Sequence, residues 1–210
     1  MTTARLIAIT KPVDGSTPED LLAYCARVSN PTSQELAQGN SKLLRYLSDH
    51  QHWSPFEMVH LVIEITTTRD IARQILRHRS FSFQEFSQRY AEVTADPIYR
   101  EARLQDAKNR QNSLLTEDED LKRWWAEEQK AVAELTKHAY QGAIDRGIAK
   151  EVARAVLPEG MTPSRMYMAG TLRSLMHYCA VRRGNGTQLE HIGIADEVFA
   201  IIQSQFPGVF

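Results

Sequence analysis

Cysteine is nearly absent: Cys25 and Cys179 are the only two in 210 residues. Two thiols cannot build a disulfide framework or a Cys-rich zinc site. No apolar run approaches the ~20 residues that span a bilayer as a helix. The apolar patch Leu6 to Ile9 is too short for the core of a signal peptide. A cytoplasmic protein with no membrane partner is expected. Internal repeats, low-complexity tracts and Gly/Ser linkers are missing, so residues 1–210 are read as one domain. Excess charge is missing too. The net charge is −1, which disfavours a globally cationic nucleic-acid binder. No Gly-x-Gly-x-x-Gly fingerprint occurs, so no Rossmann site is expected. Lysine is scarce, with 7 Lys against 18 Arg. Arg holds carboxylate and phosphate with a planar fork, whereas Lys acts as a point charge. The positions of the Arg residues therefore matter.

What is present is an ordinary globular balance, 42% hydrophobic and 24% charged. Ala4 to Ile9 reads as a strand. Pro18 to Val28 reads as a helix, with Thr17 as N-cap and Glu19 and Asp20 in the first turn. Ser41 to Leu47 is a second helix. Ser54-Pro55-Phe56-Glu57 fits either a capping box or a tight turn into a strand. Val59, Leu61, Ile63 and Ile65 alternate with His60, Glu64 and Thr66, the period of a strand with one buried face. Thr68 then caps a helix from Arg69 to about Arg77. Thr116 is read as opening the longest helix, with Glu117 to Asp120 at its positive end and Gly142 and Gly147 marking its close. Leu121, Trp124, Trp125, Val132 and Leu135 follow at helical spacing. Arg165 to Ala169 fits a strand. Leu172 to Val181 fits a helix ended by Gly184-Asn185-Gly186, and a last helix runs from about Gln188 to Gln203. Helices dominate and strands sit between them without regular alternation. The expected class is α+β: a single helix-rich domain with a mostly antiparallel sheet and long helices.

Chemistry concentrates in Arg69 to Tyr90. Arg69, Arg73 and Arg77 are four apart and share a helix face, opposite a stripe of Ile71, Ala72, Ile75 and Leu76. Arg77-His78-Arg79 follows where the helix should end. Ser80, Ser82, Gln84, Glu85, Ser87 and Arg89 come next, interleaved with Phe81, Phe83 and Phe86 as anchors. Polar groups this dense suit a phosphate and a heterocycle edge together. A polar loop with Arg residues saturating the last helix carbonyls gives the same composition.

Arg77-His78-Arg79, seven residues and Ser87 resemble the signature of the flavin-dependent thymidylate synthases. His52-Trp53-Ser54-Pro55-Phe56-Glu57 is similar to that family's segment before the motif strand, and Ala26-Arg27-Val28-Ser29 to its early segment. Ala153 to Pro158 and Leu172 to His177 resemble its C-terminal segments. The resemblance implies reductive methylation of dUMP to dTMP. Methylenetetrahydrofolate would give the carbon, and FAD reduced by NADPH would give the hydride. It also implies a homotetramer with active sites shared between subunits.

For dUMP the resemblance points to Gln74, Arg77, Glu85, Ser87, Gln88, Arg89, Arg154 and Arg182. Arg182 is the catalytic choice, facing the uracil and stabilising its anionic form. For FAD it points to Ser29, His52, Ser54, Arg77, His78, Arg79, Glu85, Thr171, Arg173 and His177. Gln84, Thr171 and His177 stand where many or some members have Asn. His78 lies between two Arg and is expected to be neutral. Ser87 is read as positioning substrate, with Glu85 its nearest candidate base in sequence. Neither Cys25 nor Cys179 has the Pro-Cys-His setting of the other thymidylate synthase family, and both read as small core residues. Gln188, Glu190 and His191 cluster without metal-ligand spacing, so no metal is assigned. The alternatives are another flavin or nucleotide enzyme on this scaffold, or a nucleic-acid binder using the Arg face.

Overall fold

The alternating apolar residues of the central strand fix the architecture. The computed structural model describes residues 2–34, 39–184 and 186–210. β1 (Thr3–Ile9) pairs with β2 (His60–Thr68), which pairs on its other side with β6 (Pro163–Thr171). β3 (Ser82–Glu85) adds to the outer edge of β6. The sheet order is β1-β2-β6-β3, antiparallel throughout. A separate hairpin joins β4 (Arg103–Gln105) to β5 (Ser113–Leu115).

Leu61, Ile63 and Ile65 point to one face of β2, and Met168 and Met166 lie opposite the last two on β6. All five are buried. Five helices supply most of the rest of the core: α1 (Pro18–Ala26), α2 (Asn40–Asp49), α3 (Arg69–Ile75), α6 (Leu172–Arg182) and α7 (Leu189–Gln205), with Phe56 and Val59 from the segment before β2. Each buried large aliphatic side chain contributes about 1.5–3 kcal/mol relative to exposure. The other sheet face carries Arg5, Glu64 and Tyr167 and stays partly open.

Local chemistry sets the helix ends. Thr17 and Asp20 form a reciprocal capping box on α1, with Pro18 at the first position. That helix stops at Ala26 rather than Val28. Ser54–Glu57 is a 3-10 turn without a side-chain cap, so the tight-turn reading holds and the capping box does not. Glu57 instead pairs with Arg173. α4 (Glu119–Asp145) is capped by Asp118, whose carboxylate accepts from the Asp120 and Leu121 amides. Thr116 lies before that helix; its hydroxyl accepts from the Asp118 amide. Gly142 is inside α4, and Gly147 follows its end with φ +78°. Asn185 lies outside the described residues.

The assignment of both cysteines to the core holds for only one of them. Cys179 is buried but Cys25 is only half-buried. α4 packs mainly on α5 (Lys150–Ala153) and the turn Arg154–Val156, not on the sheet. Trp124, Trp125, Val132 and Leu135 are therefore exposed. The class is α+β with seven α-helices among the described residues.

Candidate active site

The signature segment is positioned by β2 and β6. α3 (Arg69–Ile75) follows β2 directly, with Ile71, Ala72 and Ile75 buried against the sheet and Leu76 exposed at its C-cap. α3 ends before Arg77. The His78 amide closes a turn onto the Ile75 carbonyl at 3.0 Å. The chain then runs as β3 beside β6, so residues read as a polar loop are partly strand. Phe81 and Phe83 pack on the core and hold this strand down. Phe81 occupies the space over Gly170, where a Cβ would collide with its ring. That close approach explains the glycine.

The like charges on α3 do not face one another unpaired. Arg69 lies 3.3 Å from Glu85, and Arg73 pairs with Glu159. Arg77, Arg79 and Arg182 have no carboxylate partner among the described residues. These three surround His78 in sequence or space. Arg182, the last residue of α6, donates its Nε–H to His78 Nε2 at 2.8 Å. His78 Nε2 must then be a bare acceptor, so the ring carries its hydrogen on Nδ1. Burial, then the charges of Arg182, His177 and Arg77, push the His78 pKa down to about 4. The neutral ring expected from sequence is obtained, mainly through burial and Arg182 rather than through Arg79.

Residues assigned to dUMP lie in two regions, the end of α3 with α6, and the segment from Glu85 to Arg89 with Arg154. In the first, Arg182 meets His78, and Gln74 bonds Gln188 at 2.8 Å. Arg77 is exposed at the end of α3. In the second, Glu85 accepts from Ser164 Oγ at 2.6 Å and faces Arg69. Ser87 Oγ accepts from the Arg89 amide at 3.4 Å. Arg89 reaches Glu151 at 3.5 Å, and Arg154 donates to the Glu151 carbonyl at 3.4 Å. Gln88 is buried with its Nε2 unpartnered among the described residues.

Residues assigned to FAD scatter more widely. Arg173 and His177, on α6, line a pocket of about 800 Å³ with Trp53, Ser80, Arg183 and Phe199. Arg79 adjoins Ser80, and His52 and Ser54 flank Trp53 on the exposed side. Thr171 is the N-cap of α6: its side-chain oxygen accepts from the Ser174 amide at 3.1 Å and its hydroxyl donates to Ser174 Oγ at 3.0 Å, which leaves one lone pair. Ser29 is exposed just beyond α1. No group of three or more His, Cys, Asp or Glu among the described residues can hold a metal. No described helix is long and apolar enough to cross a membrane.

A family model described as thymidylate synthase complementing protein, Thy1, matches residues 6–208. The probable flavin-dependent thymidylate synthase of Paramecium bursaria Chlorella virus 1 is 50% identical over 208 residues, covering 98% of this chain and 96% of its own. The flavin-dependent thymidylate synthase of a Synechocystis species is 50% identical over 210 residues, with the same two coverages. The chain belongs to the flavin-dependent thymidylate synthases. A crystal structure of a UMP/dUMP methylase, PolB, from Streptomyces cacaoi bound with 5-Br dUMP matches this synthase fold with a TM-score of 0.85. The match has 25% identity and covers 100% of this chain and 93% of that one.

Three residues of this thymidylate synthase escaped sequence reasoning as parts of the site. Tyr178 is fully buried, and its ring meets His78 edge-on at 5.1 Å between centroids. His191 is fully buried and touches both Tyr178 and Gln74. Gln188 holds the amide of Gln74. One signal was available: Tyr178 lies one turn before Arg182, a spacing that puts the two on one helix face.

Proposed function

We propose that this synthase methylates dUMP to dTMP, with carbon from methylenetetrahydrofolate and hydride from NADPH by way of FAD, its flavin cofactor. The observation that carries this reading is Arg182, half-buried, held on one edge by His78 and without a carboxylate partner among the described residues. A cation fixed in a partly dehydrated site stabilises developing negative charge without reorganising. Its two terminal nitrogens remain available to a uracil that becomes anionic. His78, neutral, fixes the guanidinium plane without adding charge.

The pocket lined by Arg173 and His177 fits a flavin dinucleotide. Its volume lies in the range of small-molecule sites, about 300–1,000 Å³; Arg173 and Arg183, each held by one carboxylate, would meet a pyrophosphate, and Trp53 would meet a ring system, while the Phe199 ring is covered by Arg183 at 3.9 Å. Bound there, FAD would supply the hydride-transfer chemistry between the nicotinamide and the carbon unit. Arg173, His177, His78, Arg79, Arg77, Glu85, His52, Ser54, Ser29 and Thr171 are the residues we assign to holding it.

Arg89 and Arg154 take the phosphate of dUMP. The Arg89–Glu151 pair is exposed, worth about 0–1 kcal/mol, so a phosphate displaces it readily. Glu85 is engaged by Arg69 and Ser164 and is not free to act as a base for Ser87. Ser87 and Gln88 therefore position substrate, as do Gln74 and Arg77. Within one chain the Gln74–Arg182 group and the Glu85–Arg154 group share no hydrogen bond or ion pair among the described residues. We read the complete site as assembled between subunits of a homotetramer of single-domain chains, with no nucleic acid or membrane as partner and in the cytoplasm.

The test is product analysis with purified protein, FAD, NADPH, dUMP and methylenetetrahydrofolate. Methylene plus hydride makes methyl, and because the hydride comes from NADPH the folate leaves as tetrahydrofolate. dTMP with tetrahydrofolate supports the proposal. No dTMP, or dTMP with dihydrofolate, contradicts it.

A further inference from the structure

A polar chain runs through the interior between α3, α6 and α7, and nothing assigned above uses its centre. His191 has no exposure and bonds on both ring nitrogens, with Tyr178 Oη at 3.1 Å from Nε2 and Gln74 Oε1 at 3.2 Å from Nδ1. Gln74 Nε2 in turn donates to Gln188 Oε1 at 2.8 Å.

One arrangement of hydrogens satisfies every link. Tyr178 donates its hydroxyl proton to His191 Nε2. His191 donates Nδ1–H to the Gln74 carbonyl oxygen. Gln74 donates one N–H to Gln188. In the reverse arrangement His191 would donate to Tyr178. The buried phenol proton would then have no acceptor among the described residues, and an orphaned buried donor costs more than the bond gained elsewhere. Burial, with the charges of Arg182 and His78, lowers the His191 pKa to about 4, so the ring is neutral as this arrangement requires. The amide of Gln74 is thus prevented from flipping. One of its N–H groups and one lone pair on Oε1 remain for a ligand, in a fixed order.

We propose that His191 is a positioning residue for dUMP: anchored by Tyr178, it locks the amide orientation of Gln74, so that Gln74 meets the nucleotide with its donor and acceptor already sorted. This rests on the reading above that Gln74 binds dUMP. A free amide would present the wrong face part of the time, and affinity falls with the competent fraction. The same buried chain lies edge-on to His78, which holds Arg182, so the supports of the two groups pack together at Tyr178.

The test is dUMP titration by calorimetry on the FAD-loaded protein, with melting temperature and bound flavin measured on every variant. His191→Leu weakens dUMP binding about five- to tenfold, the scale of one lost hydrogen bond. In a Gln74→Ala background it adds no further loss, which a merely structural role would not produce. His191→Asn places an amide nitrogen near the former Nδ1 and retains most affinity. His191→Gln reaches toward Nε2 instead and does not. The two amide variants keep the test decisive if the leucine variant folds poorly. If Gln74→Ala weakens binding but His191→Leu has no effect, or the two losses add, the inference is overturned and the role of Gln74 stands. If Gln74→Ala leaves dUMP affinity unchanged, the Gln74 assignment itself fails and the inference falls with it.

Discussion

At the scale of single side chains, the role we propose for Arg182 makes the plainest prediction. Its Nε is bonded to neutral His78 at 2.8 Å, so it is oriented without being neutralised. Arg182→Ala should lower turnover about 10²- to 10³-fold, the usual cost of removing one preorganised electrostatic donor, as read from initial rates of dTMP formation. Ser87→Ala should keep measurable turnover with weaker dUMP binding. Full loss with native dUMP affinity would restore a covalent role for the serine. His78 and His191 predict a pH effect of definite sign. Burial lowers both pKa values from 6.5 to about 4. Between those limits the unfolded chain binds more protons than the native one, so stability is full above about pH 6.5 and declines as pH falls toward 4. NMR titration should show both rings neutral at pH 7. A protonated His78 at neutral pH would contradict the geometry. The residues of the motif were legible in sequence because seven-residue spacing to Ser87 survives any fold. Gln188 and His191 were not, because both meet Gln74 from more than a hundred residues away, and Tyr178 was not, because its bond to His191 exists only once α6 and α7 are packed together.

At the scale of elements, periodicity and capping residues located most of the framework. β2 was found from alternation, and α1 from Thr17 and Pro18. β3 was missed because its four residues are too few to show a period beside a dense polar run. The start of α4 was misplaced because Thr116 and Asp118 are both capping types, and only geometry separates the one that accepts from the helix amides. The close contact of β3 with β6 is the most vulnerable joint. Phe81 fills the space a Cβ on Gly170 would take, and it is packed against Phe83 and Tyr178. Gly170→Ala should therefore destabilise the fold by about 1–3 kcal/mol, the cost of overpacking, and reduce bound flavin by displacing the Arg77-His78-Arg79 turn. A variant with native melting temperature and full flavin content would refute this.

For the whole molecule, the unexplained feature is the apolar surface on α4 and the neighbouring hairpin. Leu115 is 65% exposed, Trp124 54% and Leu135 69%. Sequence periodicity marked Trp124 and Leu135 as apolar positions, but it cannot tell a core from an interface. The homotetramer we propose gives these residues a place to bury, and four chains of 23.9 kDa make an assembly of about 96 kDa. Sedimentation should show that mass, and Leu135→Glu should reduce it. Mixing an Arg182→Ala protein with an Arg89→Ala protein should restore activity that neither has alone, because a shared site can draw both arginines from intact copies. No recovery on mixing would place the site within one chain. The central claim, a flavin that carries hydride to dUMP methylation, is tested most directly by visible spectroscopy under anaerobic conditions. The purified protein should show an oxidised flavin spectrum that NADPH bleaches, and adding dUMP with methylenetetrahydrofolate should restore the colour as dTMP forms. A protein that takes up no FAD, or a bleached flavin that stays reduced when both substrates are added, would contradict it.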